Sequence, residues 1–360
     1  MKTSNENAPS SSSGLAKLRV DFYESGNGET IIITFPNGGL GIVDAHPSSQ
    51  AHRPTIADLI ADKKIHFVCL SHPHADHGID LIPVLENHAN IREFWHSTSD
   101  VDGFIFCITE TNNYNYPSPV KQFAHDFRKG WAEFLVRLYG AVAERNIEDR
   151  QLHSNVKAIL IDGVEIHVLS PEESIKTKFI KAYRDRAARK TKTLPDPNLL
   201  STVLALKYGQ SVVLLGSDAL KDNWASATDR FRENKLADAL VLKIPHHGAS
   251  NAIILHPRAG DTNYLNLCSR SPRAKAILFA GDAKHPDADV YQKLRATTDV
   301  MCLSNGLVGR TAVSNPLGIG IPGARAVTAA RTCNPVISFE LDDSGNVKTL
   351  AGMNCDACAV

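Results

Sequence analysis

The stretch Ser71-His72-Pro73-His74-Ala75-Asp76-His77-Gly78 decides how this chain is read. Three imidazoles and a carboxylate fall within six residues, directly after the apolar run Lys64–Leu70. Imidazole nitrogen and carboxylate oxygen are the donors that borderline divalent ions favour. A rigid strand end aims His72 and His74 to one side, and the turn after it lets Asp76 and His77 face a second ion. Two ions bridged by a hydroxide would activate water and stabilise a leaving oxygen. The alternative is a His-rich surface loop with no role, and the density of donors after a strand argues against it.

Two more strand ends fit the same centre. Val212–Leu215 is an apolar strand that runs into Gly216-Ser217-Asp218, and Ala239–Ile244 runs into Pro245-His246-His247-Gly248. Alone, a strand-end Asp is as readily a helix cap or a turn former. Together with His72–His77 the three strand ends point to one shared metal centre.

The rest of the chain reads as α/β. Leu15–Ala45 gives strand, turn, strand, turn, strand, with Asn27-Gly28 and Asn37-Gly38-Gly39 as turns. Residues 54–62 read as a short helix, and Gly78–Asn87 as a helix that Pro83 shortens or delays. Residues 100–155 read as a helical insertion, with Trp131, Leu135, Leu138 and Val142 on one face. Strands return in Val156–Ser170 around Asp162-Gly163, and residues 171–192 are helical and basic. Leu200–Leu206 and Ser211–Leu215 read as a hairpin, followed by a helix from about Asp222. Strand Ala274–Phe279, helix Asp287–Arg295 and a hairpin around Asp342–Gly345 complete the chain. Strands in blocks with helices between suggest two mixed sheets with helices outside.

Composition sets the limits. The chain has 360 residues, 43% apolar and 22% charged, which excludes a disordered, collagen-like or disulfide-dense protein. Lys plus Arg and Asp plus Glu are 39 each, so the whole surface is not a basic nucleic-acid sleeve, although a local patch is compatible. No run approaches the length of uninterrupted apolar sequence that a membrane span needs, so none is expected. The Ser-rich start, residues 1–16, lacks the apolar core of a secretory signal and reads as a disordered tail. The expected catalytic domain runs over 17–350, with a flexible tail at 351–360 that carries Cys355 and Cys358. Seven scattered cysteines without an export signal suggest reduced thiols and a cytoplasmic protein.

His72, His74, Asp76 and His77 match the HxHxDH signature of the metallo-β-lactamase fold. The whole resembles the metallo-β-lactamase domain of ComEC-type DNA-uptake proteins, whose features recur here in order. They are Gly26–Asn27–Gly28, Val43-Asp44, Asn198-Leu199-Leu200-Ser201, Leu214–Asp218, Ile244–Ser250 and His285-Pro286. The resemblance covers about residues 17–350, minus insertions near 100–155 and 175–195. It implies a four-layer αβ/βα sandwich. It also implies that His72 and His74 bind a first metal, Asp76 and His77 a second, and that Asp218 bridges them. His247 would complete the second site, His246 would contact substrate or serve as an alternative ligand, and Asp44 would orient a ligand from behind. The wider fold places another histidine near Ser170-Pro171, and here there is none; His167 falls inside a strand.

The metal site implies hydrolysis by a metal-bound hydroxide, with Asp76 and His246 in catalytic roles, and leaves the substrate open. A phosphodiester suits two ions, and the ComEC resemblance implies nuclease activity, so the expected activity is that of a phosphodiesterase or nuclease acting on nucleic acid or a nucleotide. The basic segment Lys176–Lys192 could overhang the site, with Lys176, Lys181 and Arg184, together with Ser201, as substrate contacts. Phe179 and Tyr183 within it either stack on bases or line the core side of a solvated helix. One or two ions are expected, zinc foremost and manganese as the alternative for a His-poor first site. One rival is a small-molecule hydrolase acting on a thioester, lactone or lactam. The other is a metal-stabilised scaffold that binds a protein partner through the 100–155 insertion.

Overall fold

In Ile65–Leu70 every residue is buried, yet successive side chains face opposite ways. Phe67 and Cys69 join an apolar core between two sheets, whereas Val68 and Leu70 join one beneath helices. A strand covered on both faces must be apolar throughout. In a computed structural model of the chain, residues 17–25, 28–48, 55–112, 119–188, 190, 195–256, 262–280, 285–304 and 336–351 are described.

The first sheet contains β1 (Leu18–Tyr23), β2 (Thr30–Thr34), β3 (Leu40–Val43), β4 (Ile65–Leu70), β5 (Ile91–His96) and β6 (Glu148–Gln151). The second contains β7 (Ile159–Ile161), β8 (Val164–Ser170), β9 (Val203–Tyr208), β10 (Ser211–Leu215), β11 (Val241–Lys243), β12 (Lys275–Ala280) and β13 (Asp299–Ser304). The chain then returns to the first sheet as β14 (Val336–Leu341) and β15 (Val347–Ala351). Strand orders are β15-β14-β1-β2-β3-β4-β5-β6 and β13-β12-β11-β10-β9-β8-β7. Both sheets are mixed: β3 to β6 run parallel in one and β10 to β13 in the other, and the remaining pairs are antiparallel.

Eight helices lie among the described residues: α1 (Ile56–Ile60), α2 (Ala75–Gly78), α3 (Leu81–Asn87), α4 (Val101–Asn112), α5 (Pro119–Glu144), α6 (Glu173–Ala187), α7 (Lys221–Glu233) and α8 (Ala288–Thr297). One core, with Ile42, Val68 and Phe94, lies between the first sheet and α1, α3, α4, α5 and α6. A second, with Leu214, Leu242 and Leu278, lies between the second sheet and α7 and α8. The third fills the gap between the sheets. Three cores separate four layers, the αβ/βα sandwich that the sequence implied. Phe67 and Trp95 stack across β4 and β5 at 3.7 Å in the middle core, a contact worth about 0.5–1.5 kcal/mol beyond its area.

Some local readings change. The helix read over Gly78–Asn87 starts late, as Pro83 suggested: α3 begins at Leu81 with Pro83 in its first turn, where its missing N–H costs nothing, and Gly78 closes the separate α2. The helical insertion ends at Glu144, because Glu148–Gln151 pairs with β5 as a parallel edge strand. An edge strand reading Glu-Asp-Arg-Gln carries no apolar alternation. Likewise β15 reaches Ala351, the first residue of the expected tail. Cys69, Cys107 and Cys268 are buried and in no disulfide, but Cys302 is disulfide-bonded, against the all-reduced expectation. Residues 1–16 and 352–360, with Cys355 and Cys358, and Gly26 and Asn27 lie outside the described residues. Among those described, no helix is long and apolar enough to cross a membrane.

Candidate metal centre

Strand polarity brings the predicted residues together. In both sheets the carboxyl ends of the parallel strands point the same way, which is where α/β sheets place their ligand sites. β3 feeds Asp44, β4 feeds the loop His72–His77, β10 feeds Asp218, and β11 feeds His246 and His247. A fifth segment enters just before β2: Glu29, fully buried.

Glu29, His77, Asp218 and His247 each offer a ligand atom within 4.8 Å of all the others. His77 Nε2 lies 3.6 Å from Asp218 Oδ2, and His247 Nε2 lies 3.9 Å from Asp218 Oδ1. Donors about 2.1 Å from one tetrahedral ion sit about 3.4 Å apart, so this spacing needs little closure.

The donor set fits a divalent ion. His77 Nδ1–H donates to Asp44 Oδ2 at 2.7 Å, which leaves the Nε2 lone pair free. His247 Nδ1–H donates to the Phe279 carbonyl at 3.0 Å with the same result. His77 Nε2, Asp218 Oδ1 and Glu29 Oε2 are buried without a hydrogen-bond partner, while Glu29 Oε1 meets the Lys243 ammonium. Unpaired buried acceptors are costly, and three of them turned toward one another are what a cation would satisfy.

Asp44 organises the entry to the site. Its carboxylate accepts from Ser71 N at 2.7 Å, Ser71 Oγ at 2.6 Å and His77 Nδ1. Burial opposes charge on His77, but Asp44 and Asp218 outweigh it and raise its pKa well above the usual imidazole range. For Asp218 burial is likewise overcome, here by His77 and His247, and its carboxyl is held well below the usual range. Burial, with Asp218 and Asp44 adding repulsion, pushes Glu29 up to about 7 even though Lys243 and His77 oppose it. Burial, then His77 and His74, keeps His72 neutral-leaning, with its pKa well below the ordinary value.

His246 and His247 are both left-handed, with φ of 47° and 52°, and Gly248 continues the turn at 79°. Left-handed backbone costs a β-carbon residue of the order of 1–3 kcal/mol and persists where the surroundings enforce it. Here His246 N donates to Ser217 O at 3.0 Å and Ala249 N to His246 O at 2.8 Å. The turn sends His247 into the cluster and leaves His246 at its rim. There its Nε2 lies 3.3 Å from Asn198 Nδ2 and 3.9 Å from Asp218 Oδ2.

Of the predicted residues, His77, Asp218 and His247 share the cluster. His72 and His74 lie beside it: their ring nitrogens are 2.9 Å apart, and the His72 ring is 4.2 Å from that of His77. Asp76 is half-buried in the first turn of α2 and is not in the four-residue cluster. Its carbonyl lies over Gly28, where a β-carbon would come within 2.0 Å of it. The helical insertion closes over the histidine loop through Trp131, whose Nε1–H donates to Pro73 O and whose ring lies 6.1 Å from His74.

The basic segment differs from its reading. Lys176 is fully buried and donates to Leu152 O at 3.2 Å, so it does not reach outward to a substrate. Phe179 and Tyr183 are core residues, packed on Phe104 at 5.5 and 4.9 Å, and so do not stack on bases. Lys181 and Arg184 are exposed, but they pair with Asp185 and Asp100. Ser201 is buried, with its hydroxyl unpartnered. Sequence reasoning missed Glu29 and Lys243. The available signals were a carboxylate directly after a glycine turn and a single charge inside an apolar strand.

No protein-family model matches this chain, and no curated protein matches it. Among solved structures it is similar to Igni18, a novel metallo hydrolase from the hyperthermophilic archaeon Ignicoccus hospitalis KIN4/I. That match has 13% identity and a TM-score of 0.44, over 79% of this chain and 95% of that one. A diphosphatase from the PhnP family matches at 12% identity and a TM-score of 0.37, over 80% and 96% of the two chains. Hydrolase AbOPH of the β-lactamase superfamily matches at 10% and 0.33, over 61% and 72%. The fold assignment rests on the layers and strand order above; these likenesses carry no statement about chemistry.

Proposed function

We propose that this chain is a metal-dependent hydrolase whose substrate is a phosphodiester, in nucleic acid or a nucleotide. The observation that carries the first half is the buried convergence of Glu29, His77, Asp218 and His247, with unsatisfied donor atoms turned inward. A divalent ion in that cluster, zinc or manganese, would activate water and draw charge from the oxygens around the scissile centre.

The chain's own residues supply the rest. Asp44 and the Phe279 carbonyl hold the Nδ1–H groups of His77 and His247, so both rings aim Nε2 at the cluster, His77 as a ligand once its Nε2 proton is shed. His72, His74 and Asp76, on the adjoining loop, would serve a second ion. His246 stands at the rim. Its Nε2 lies 3.3 Å from Asn198 Nδ2 and 3.9 Å from Asp218 Oδ2, so the ring is positioned beside the cluster, where it would contact a substrate. The phosphodiester class comes from the likeness of the chain's motifs to ComEC-type domains; Lys181 and Arg184 on α6 are exposed but paired with Asp185 and Asp100. A small-molecule hydrolase on the same centre is the second reading, favoured by the burial of Lys176 away from any basic rim.

The test is turnover of bis-p-nitrophenyl phosphate after metal removal and re-addition of zinc or manganese, for the wild type and for the double variant His77→Ala, Asp218→Ala. Metal-restored cleavage that the variant lacks supports the reading. No cleavage by a metal-loaded wild type that does cleave a thioester or lactone moves the assignment to the second reading.

A further inference from the structure

Lys243 is the last residue of β11, within the apolar run Val241–Ile244, and it has no exposure at all. A buried ammonium needs compensation from several acceptors, and here it finds them on three sides. Its Nζ meets Glu29 Oε1, donates to Ser217 O at 2.7 Å and lies 3.7 Å from Asp218 Oδ1. Nζ also stands over the Phe279 ring, 5.9 Å from its centroid.

These contacts tie together pieces of both sheets. Glu29 belongs to the entry of β2 in the first sheet, and Ser217 and Asp218 to the exit of β10 in the second. Ser217 is itself left-handed, with φ of 44°, and its carbonyl also receives His246 N–H at 3.0 Å. One carbonyl therefore fixes the loop that carries Asp218 and the turn that carries His247, and Lys243 holds that carbonyl from below. Two buried carboxylates facing each other repel, and without a cation between them they would splay or take up a proton.

From these contacts we propose that Lys243 is a positioning residue of the centre: its ammonium is a built-in counter-charge that holds Glu29 and Asp218 at the spacing a metal ion needs. The proposal rests on the reading of Glu29, His77, Asp218 and His247 as a metal site. Lys243 itself has no lone pair to offer while charged, so it acts through the two carboxylates and the Ser217 carbonyl.

Lys243→Met keeps the length and apolar stem and removes the charge and donors. The experiment titrates cobalt(II) into the metal-free full chain, reading the visible absorption of the ion, with a thermal melt to show folding. For the wild type, cobalt binds with the intense visible bands of a four-coordinate site. For folded Lys243→Met, affinity falls roughly 10- to 100-fold, the scale for groups that orient metal ligands, and the bands weaken as a carboxylate leaves its place. Lys243→Gln, which keeps a donor for Ser217 O without the charge, serves where the Met variant does not fold, and it shows the same two changes. A folded variant with wild-type affinity and spectrum overturns the role of Lys243 and leaves the metal site standing. A wild type that binds no cobalt overturns both.

Discussion

Asp44→Asn changes one atom and reverses the logic of the site. Asp44 is buried and accepts three hydrogen bonds, from Ser71 N, Ser71 Oγ and His77 Nδ1, at 2.7, 2.6 and 2.7 Å. Its backbone is left-handed, with φ of 56°, a region asparagine tolerates well, so the substitution adds no backbone strain. The amide has one acceptor oxygen and one donor nitrogen. With the oxygen on Ser71 N–H, the amide nitrogen faces His77 Nδ1, and the imidazole must shift its proton to Nε2. That proton occupies the lone pair aimed at Asp218 and Glu29. Flipping the amide restores His77 but sets a donor against the buried Ser71 N–H, which costs about 1–3 kcal/mol. Loss of such an orienting partner lowers metal affinity about 10- to 100-fold, or about 1.4–2.8 kcal/mol. Zinc calorimetry gives the affinity, and nitrogen-15 imidazole spectra give the His77 tautomer. Unchanged zinc affinity, with the His77 proton still on Nδ1, would refute the reasoning.

Other outcomes follow from the same geometry. Glu29 titrates at about 7 because burial disfavours its charge, and only the ionised carboxylate binds metal. Zinc affinity should therefore rise with pH, falling about tenfold per unit below about 7 through Glu29 and more steeply because His77, with its raised pKa, must also shed a proton; calorimetry across pH 5–8 reads it, and a flat profile contradicts it. Gly28→Ala places a β-carbon 2.0 Å from Asp76 O and 2.4 Å from His46 Cβ. The displaced loop should cost about 1–3 kcal/mol, seen as a thermal midpoint lower by several degrees, and a melt matching wild type would count against that packing. Lys176→Met removes a buried ammonium bonded to Leu152 O, so stability should change by about 1 kcal/mol or less and phosphodiester turnover should stay level; a specific loss of turnover would return Lys176 to the substrate.

The three strand ends were readable because each combines a local pattern, an apolar run, with donors right after it. His77, Asp218 and His247 meet in space for that reason. Glu29 escaped notice because it stands at a strand entry, where a lone carboxylate resembles ordinary turn chemistry. Lys243 was absorbed into its strand as one polar residue in an apolar run, since nothing local shows that its partners come from another sheet. Phe179 and Tyr183 sit four residues apart among basic neighbours, which fits a base-stacking face and a core-facing stripe equally. Packing against Phe104 decided for the core. Edge strands such as Glu148–Gln151 stay invisible to patterning, because exposed positions accept any polar residue. The layered sandwich itself was legible, since its doubly covered strands need long apolar runs.

The most direct test of the centre is anomalous diffraction, at the zinc edge, from crystals of the full chain grown with zinc. The account predicts a peak bonded to His77 Nε2 and His247 Nε2 and to carboxylate oxygens of Asp218 and Glu29. A chain that binds zinc with no peak at those four residues, or only elsewhere, would contradict it.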